Sequence, residues 1–262
     1  TFFNVINTLL FIAFTGWFAR LAEWLVRERR PEEGVIARPE FLDQAALAAP
    51  TVALQQVRLE LGRVGEIVLG MLKDVGPAFR DRDRGRLDDI VRRDDQVDVL
   101  EEEILRFLGL VRKGMLTDQE SAEFQGLMMA TDNLESLADV IETDLSALAR
   151  KACGVDSAAG DESRAMLEEL YATVIEAVEL TVQALRDNDQ RAAESVLMLK
   201  AQVREQSERL LSRKAERLAT DDPDYLTLIR LQMSFVDQMR RIYTLAKRIT
   251  KDILPPAISR SE

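Results

Sequence analysis

The chain has 262 residues, 47% hydrophobic and 31% charged, with 12 Gly, 7 Pro and 6% aromatic residues, a composition that favours long helices over sheet. It holds no His and a single Cys, Cys153, which excludes Ser-His-Asp and Cys-His nucleophile systems, imidazole-dependent zinc or di-iron sites, and an internal disulfide. The net charge of −11 argues against nucleic acid as a partner, because such binding needs a basic surface.

The chain opens at Thr1, without Met, inside an apolar run, and is therefore read as the C-terminal piece of a longer polypeptide. Phe2 to Phe18 reads FFNVINTLLFIAFTGWF, and the first charge is Arg20. Nineteen uncharged residues in a helix span roughly 28 Å, close to the hydrocarbon thickness of a bilayer. Trp17 and Trp24 stand at the end of the run, where aromatic side chains favour the membrane interface, and Arg27, Arg29 and Arg30 place this end in the cytoplasm by the positive-inside rule. A secretory signal is one rival reading, but no basic region precedes the run and no small-residue cleavage site follows it. A buried core helix is the other rival. Asn4 and Asn7, at i, i+3, suit contact with neighbouring membrane helices better than a lone span in lipid.

Residues 31–50 hold three prolines and a glycine and read as a linker. Beyond it, Leu54, Val57, Leu61, Val64, Val68, Met71 and Val75 step by four and three, one seam of a helix ending near Arg80. A second helix is expected over about 83–113, with Ile90, Val97, Ile104 and Leu108 in its seam. A third begins after Thr117, an N-cap with Glu120 three residues on, and runs to about Ala152. Gly154 to Gly160 breaks the pattern, and three more helices follow at about 161–187, 189–219 and 223–253, stopped by Pro255 and Pro256.

The two triplets read as an internal repeat. At an offset of 106, AFRDRD from Ala78 aligns with ALRDND from Ala184, and Gln96-Val97 with Gln202-Val203. The expected architecture is all-α: a membrane helix with its basic flank (1–30), a linker (31–50), a first three-helix bundle (51–153), a short linker (154–160), a second three-helix bundle (161–254) and a tail (255–262).

Carboxylates single out the first triplet. Asp94 and Asp98 lie at i, i+4 on the second helix, with Asp94 in the seam itself, and Glu135 and Asp139 repeat that spacing on the third. Like charges on one face repel, and near a seam they are also desolvated; a bound cation removes both penalties. Oxygen-only ligands suit hard ions first. Asp94, Asp98, Glu135 and Asp139 are the metal ligands expected here, with Asp95 and Glu142 as further donors. The competing reading is a solvated acidic face on an acid-rich protein. In the second triplet the aligned residues are Lys200 and Arg204 at the offset of 106 and Arg240 and Thr244 at an offset of 105, so a cation site is expected in the first half alone. Arg240, Arg241, Lys247 and Arg248 make the last helix basic, for ion pairs or for anionic lipid.

An acidic pair on the second helix followed by Leu134-Glu135-x-x-x-Asp139 on the third, in each of two three-helix bundles, resembles PhoU-like proteins; Ser136 and Ala138 stand where that family usually has Arg and Gly. FFNVINTLLFIAF followed by a proline-containing linker and Phe41-Leu42-Asp43 is similar to the end of bacterial sodium/phosphate cotransporters. There, the last membrane helix leads into a cytoplasmic PhoU-like domain. The resemblance implies sodium-dependent phosphate transport by an upstream transmembrane core of the same polypeptide, a plasma- or inner-membrane location, and a cytoplasmic domain that regulates uptake. It also implies a divalent or trivalent metal ion (Mg, Mn, Fe, Zn or Ca) on the acidic motifs. Sodium and phosphate are then the transported ions, the membrane and a second copy of the chain are expected partners, and no nucleic acid is. No Gly-rich phosphate loop is present, and the chain is read as a non-enzyme. The alternative is a membrane-anchored PhoU-like adaptor with a single span, which binds another protein without transporting.

Overall fold

The apolar seam from Leu54 to Val75 is a buried stripe in the computed structural model, which describes residues 37–81, 83–152, 161–217 and 223–253. The expected membrane helix and basic flank over 1–30, Cys153, the 154–160 linker and the tail over 255–262 lie outside the described residues. After a 3-10 turn at Gln44–Ala48, helix α1 spans Pro50–Asp81 and α2 Arg84–Val111. Helix α3, Asp118–Asp139, runs on through a π-helical stretch, Val140–Leu145, into α4, Ser146–Ala152. Helices α5 (Asp161–Asp187), α6 (Gln190–Arg217) and α7 (Pro223–Ile253) complete the fold. With α3 and α4 taken as one interrupted rod, this is the expected all-α arrangement of six long helices. Among the described residues no helix is long and apolar enough to cross a membrane.

Local chemistry sets the helix starts. Thr117 forms the expected capping box, its hydroxyl accepting from the Glu120 amide while the Glu120 carboxylate accepts from the Thr117 amide. Asp83 caps α2 by accepting from the Arg86 amide, and Asp189 caps α6 by accepting from the amides of Arg191 and Ala192. The two caps are the aligned aspartates of RDRD and RDND, and α2 and α6 share both bounds at the 106-residue offset. Asn188 takes a left-handed backbone, φ 53°, to end α5.

The third helix departs from expectation in its interior. Val140, Ile141 and Glu142 are three consecutive buried residues, wider than one face of a regular α-helix. The π-helical turn accommodates them: the Ser146 amide bonds back to Ile141, five residues earlier.

Both triplets share one hydrophobic cluster, reaching from Leu54 and Leu61 through Ile104 and Leu134 to Val174, Met239 and Ile249. Helix α1 packs on α2, α3 and α5, while α7 packs on α3, α5 and α6. Close approach of α1 to α5 depends on small residues: a Cβ at Gly62 or Gly65 would lie 2.8 Å from Arg186 or Val182. Near Pro77, the Tyr171 hydroxyl accepts from the Gly76 amide (3.0 Å) and donates to the Leu72 carbonyl, bridging α1's own ladder from α5. Buried Arg58 donates to Glu123 on α3 at 2.6 Å and to the Leu185 carbonyl of α5 at 3.3 Å.

The segment ahead of α1 is tied to it by three residues on one helical face. Glu60, fully buried, accepts from the amides of Glu40 and Phe41 at 2.8 Å each. Arg63 holds Glu60 and donates to the Arg38 carbonyl at 2.7 Å, and Gln56 accepts from the Asp43 amide at 3.0 Å.

Candidate functional site

Helix α2 presents Asp94, Asp98 and Glu101 at spacings of four and three, along one face. Helix α3 and its π-helical extension present Glu135, Asp139 and Glu142 at the same kind of spacing. The two rows face each other across the α2–α3 contact, as their mutual electrostatics record. Asp94 is pushed from the ordinary 3.8 up to about 8, first by burial, then by the charges of Asp98, Glu142, Asp139 and Asp95. Glu135 rises to about 7, again through burial first and then Asp139, Glu101 and Asp98. Burial leads the upward shifts of Asp98, Glu101 and Asp139 as well, reinforced by the same neighbours. Among the described residues, Arg241 of α7 opposes this: it lowers Asp139 by its charge and pairs with Asp144 at 3.0 Å.

All four ligands expected from the sequence, Asp94, Asp98, Glu135 and Asp139, therefore fall in one electrostatic cluster, together with Asp95 and Glu142. Glu101 is the addition. Its signal was available: it lies three residues after Asp98 and seven after Asp94, on the same helical face.

Does the donor set fit a cation? Its chemistry does: every group is a carboxylate, and Asp94 Oδ1 is buried without a hydrogen-bond partner, a state that costs free energy until a donor or an ion satisfies it. Glu142 is 8% exposed, with its carboxylate accepting from the Thr143 hydroxyl at 2.6 Å. The convergence is incomplete: among the described residues no three His, Cys, Asp or Glu side chains are already drawn to metal-ligand geometry. To reach such geometry the carboxylates would have to turn inward by rotamer changes, for which half-exposed Asp94 and Glu135 and exposed Asp98 have room.

In the second triplet neutral polar groups join α6 to α5: buried Gln206 and exposed Gln202 donate to the Thr173 hydroxyl at 3.1 and 3.2 Å, and Gln206 also to Glu169. Arg204 pairs along its own helix with Glu208, and the Thr244 hydroxyl donates to the Arg240 carbonyl.

Comparison with known proteins follows this geometry. Residues 61–143, which contain α2, most of α1 and the α3 acids, match the PhoU domain. Over 253 residues, 97% of the chain, it is 23% identical to an Escherichia coli (strain K12) protein that carries the name of inorganic phosphate export, YjbB. The Salmonella typhimurium protein of the same name is 24% identical. The chain spans about half (46%) the length of these relatives. The crystal structure of PhoU from Pseudomonas aeruginosa superimposes with a TM-score of 0.70 at 16% identity, covering 79% of this chain and 96% of that one. The fold is thus PhoU-like, and the relatives with which the chain aligns are named for inorganic phosphate export.

Proposed function

We propose that this chain is the C-terminal part of a membrane protein that moves inorganic phosphate, and that its helical body is a cytoplasmic regulatory module which loads a metal ion. The observation that carries this reading is the extent of the match: 97% of the chain aligns with proteins named for phosphate export, so at least half of the apolar N-terminal run lies inside it. Such a match suits the order the sequence predicts, a membrane helix leading through a proline-containing linker to the bundle. Asp94, Asp98, Glu135 and Asp139 hold the ion, with Asp95, Glu101 and Glu142 around them. When bound, it supplies positive charge that neutralises the facing acidic rows and locks α2 to α3. The chain's own residues do the rest: Glu60, Arg63 and Gln56 clasp the segment 38–43, so that a change in the bundle is passed directly to the chain entering it.

Sodium coupling and the direction of transport separate two forms of this proposal, since the resemblance to cotransporters implies uptake and the relatives' name implies export. Flux of radiolabelled phosphate decides between them. Cells carrying the gene for this chain, and cells carrying it with residues 37–262 deleted, are compared for phosphate entry and loss with and without a sodium gradient. The expected result is a phosphate flux whose rate changes on deletion of the helical body. Flux unaffected by the gene in either direction refutes the transport reading.

A further inference from the structure

Beside the acidic cluster, α7 and α3 enclose a cleft of about 470 Å³. Arg240, Arg241, Thr244 and Arg248, spaced along one face of α7, line it together with Asp237 and with Ser136 of α3. On a chain of net charge −11, three guanidiniums in one concavity make a local field opposite to that of the whole protein. One of the three is engaged, Arg241 by Asp144. Among the described residues, Arg240 and Arg248 make no ion pair; the charge of Arg248 is felt by Asp252, one turn on, and Asp237 is the single carboxylate in the lining. Two guanidinium forks thus remain to be matched, with the Ser136 and Thr244 hydroxyls beside them.

We propose that this cleft binds a free phosphate-class oxyanion. Guanidinium presents planar paired donors that match the oxygens of a tetrahedral anion, whereas a carboxylate-bearing ligand of larger size would meet Asp237. The concavity and the second wall supplied by Ser136 favour a small soluble anion over a flat lipid surface. The internal repeat gives the same answer independently. Arg240 and Thr244 occupy the positions at which the first half has Glu135 and Asp139, so duplication has produced an acidic, cation-suited face in one half and a basic, anion-suited face in the other. This inference goes beyond the transport reading: it assigns a ligand to residues of the second half and does not depend on the metal.

The test is titration of the 262-residue chain, in a mild non-ionic detergent, with inorganic phosphate by calorimetry and phosphorus NMR. Chelator is present throughout, so that no phosphate is carried in on a metal, and ionic strength is held constant with chloride. The wild-type chain is expected to bind phosphate saturably, with sulfate competing. R240Q and R248Q each weaken binding about tenfold, and the double variant abolishes it, while R240K and R248K, which keep the charge, retain part. All these side chains are exposed, and unchanged thermal unfolding of each variant establishes that the fold is intact. Absence of saturable binding, or equal binding in R240Q, R248Q and wild type, overturns the proposal. So does arginine-dependent binding to phosphatidylglycerol-containing vesicles without binding of inorganic phosphate. A flux unaffected by the gene in either direction, with phosphate binding intact, would refute the transport reading and leave this one standing.

Discussion

The strained carboxylates of α2 make a prediction whose sign changes with metal. Asp94 titrates near 8 in the folded chain, against an ordinary 3.8. A carboxyl group with a raised folded value stays protonated in the native state while the unfolded chain ionises, so it removes stability progressively as pH rises from about 4 to about 8. Four units correspond to a ceiling of about 5–6 kcal/mol for a fully enclosed group; because Asp94 is partly open to solvent, screening reduces this to about 2–3 kcal/mol. The variant D94N cannot ionise. In chelator at about pH 8.5 it is therefore expected to be more stable than wild type by about 2–3 kcal/mol, which for a body of this size raises the unfolding temperature by about 5–10 °C. At about pH 4 the two should differ little, since the native state of wild type is then protonated and the unfolded carboxyl only about half ionised.

Thermal unfolding followed by far-UV circular dichroism reads both conditions, and addition of millimolar Mg²⁺ or Mn²⁺ supplies the second half of the prediction. An ion that binds only the native cluster stabilises wild type in proportion to the logarithm of its concentration over Kd. D94N, with one ligand charge removed, gains less, and the order of stabilities at about pH 8.5 contracts or reverses. If D94N unfolds at a lower temperature than wild type in chelator, or if the difference is the same at about pH 4 as at about pH 8.5, then facing carboxylates do not destabilise this site. If no divalent ion raises the wild-type unfolding temperature, the ligand assignment fails even where the pH dependence holds.

Two further predictions concern packing and the entry segment. A Cβ at Gly126 would sit 2.3 Å from the Asp252 carbonyl oxygen, where backbone must move, whereas Gly109 has open space around it; G126A should cost about 1–3 kcal/mol and G109A should gain about 0.5–1 kcal/mol through helix propensity, a sign difference readable by denaturant unfolding. Removing the Glu60 carboxylate leaves Arg63 and the amides of Glu40 and Phe41 without their acceptor. E60A should therefore cost about 2–4 kcal/mol and accelerate hydrogen exchange at those two amides; protection equal to wild type would show that the clasp does not hold the segment.

Much of this fold was legible because it is written locally. The α1 seam, the Thr117 capping box and the breaks between helices are each decided by residues within a few positions of one another, and the structure returns them with their boundaries nearly unmoved. The repeat was legible for a reason visible only in the structure: the aligned RDRD and RDND segments are N-cap junctions, so Asp83 and Asp189 do the same task at the same offset. Paired carboxylates at i, i+4 were enough to bring out four members of the acidic cluster. Glu101 carries the same spacing signal, three residues after Asp98, while its coupling to Glu135 and Asp139 is visible only against the opposite helix. The π-helical turn at Val140–Leu145 left no local signal, because it answers to the width of the buried face against neighbouring helices. Glu60 looked like any acidic residue on a long helix, since its partners are backbone amides twenty positions away that carry no side-chain signature.

The asymmetry between the halves has a physical consequence for how the module responds. Arg241 lies at the boundary: it lowers Asp139 by its charge, pairs with Asp144, and lines the basic cleft. A cation taken up among the acids of α2 and α3 repels Arg241 from Asp139 and sets its guanidinium freer to face the cleft, while an anion in the cleft draws the same side chain away from the acids. Each ligand also attracts the other directly. Both effects have the same sign, so if the two proposed sites are filled, metal and oxyanion would promote each other's binding, and by linkage the enhancement would be equal in the two directions. Two identical acidic halves would bind two cations that repel, whereas one acidic and one basic half would make a pair of sites that answer to the two ions together.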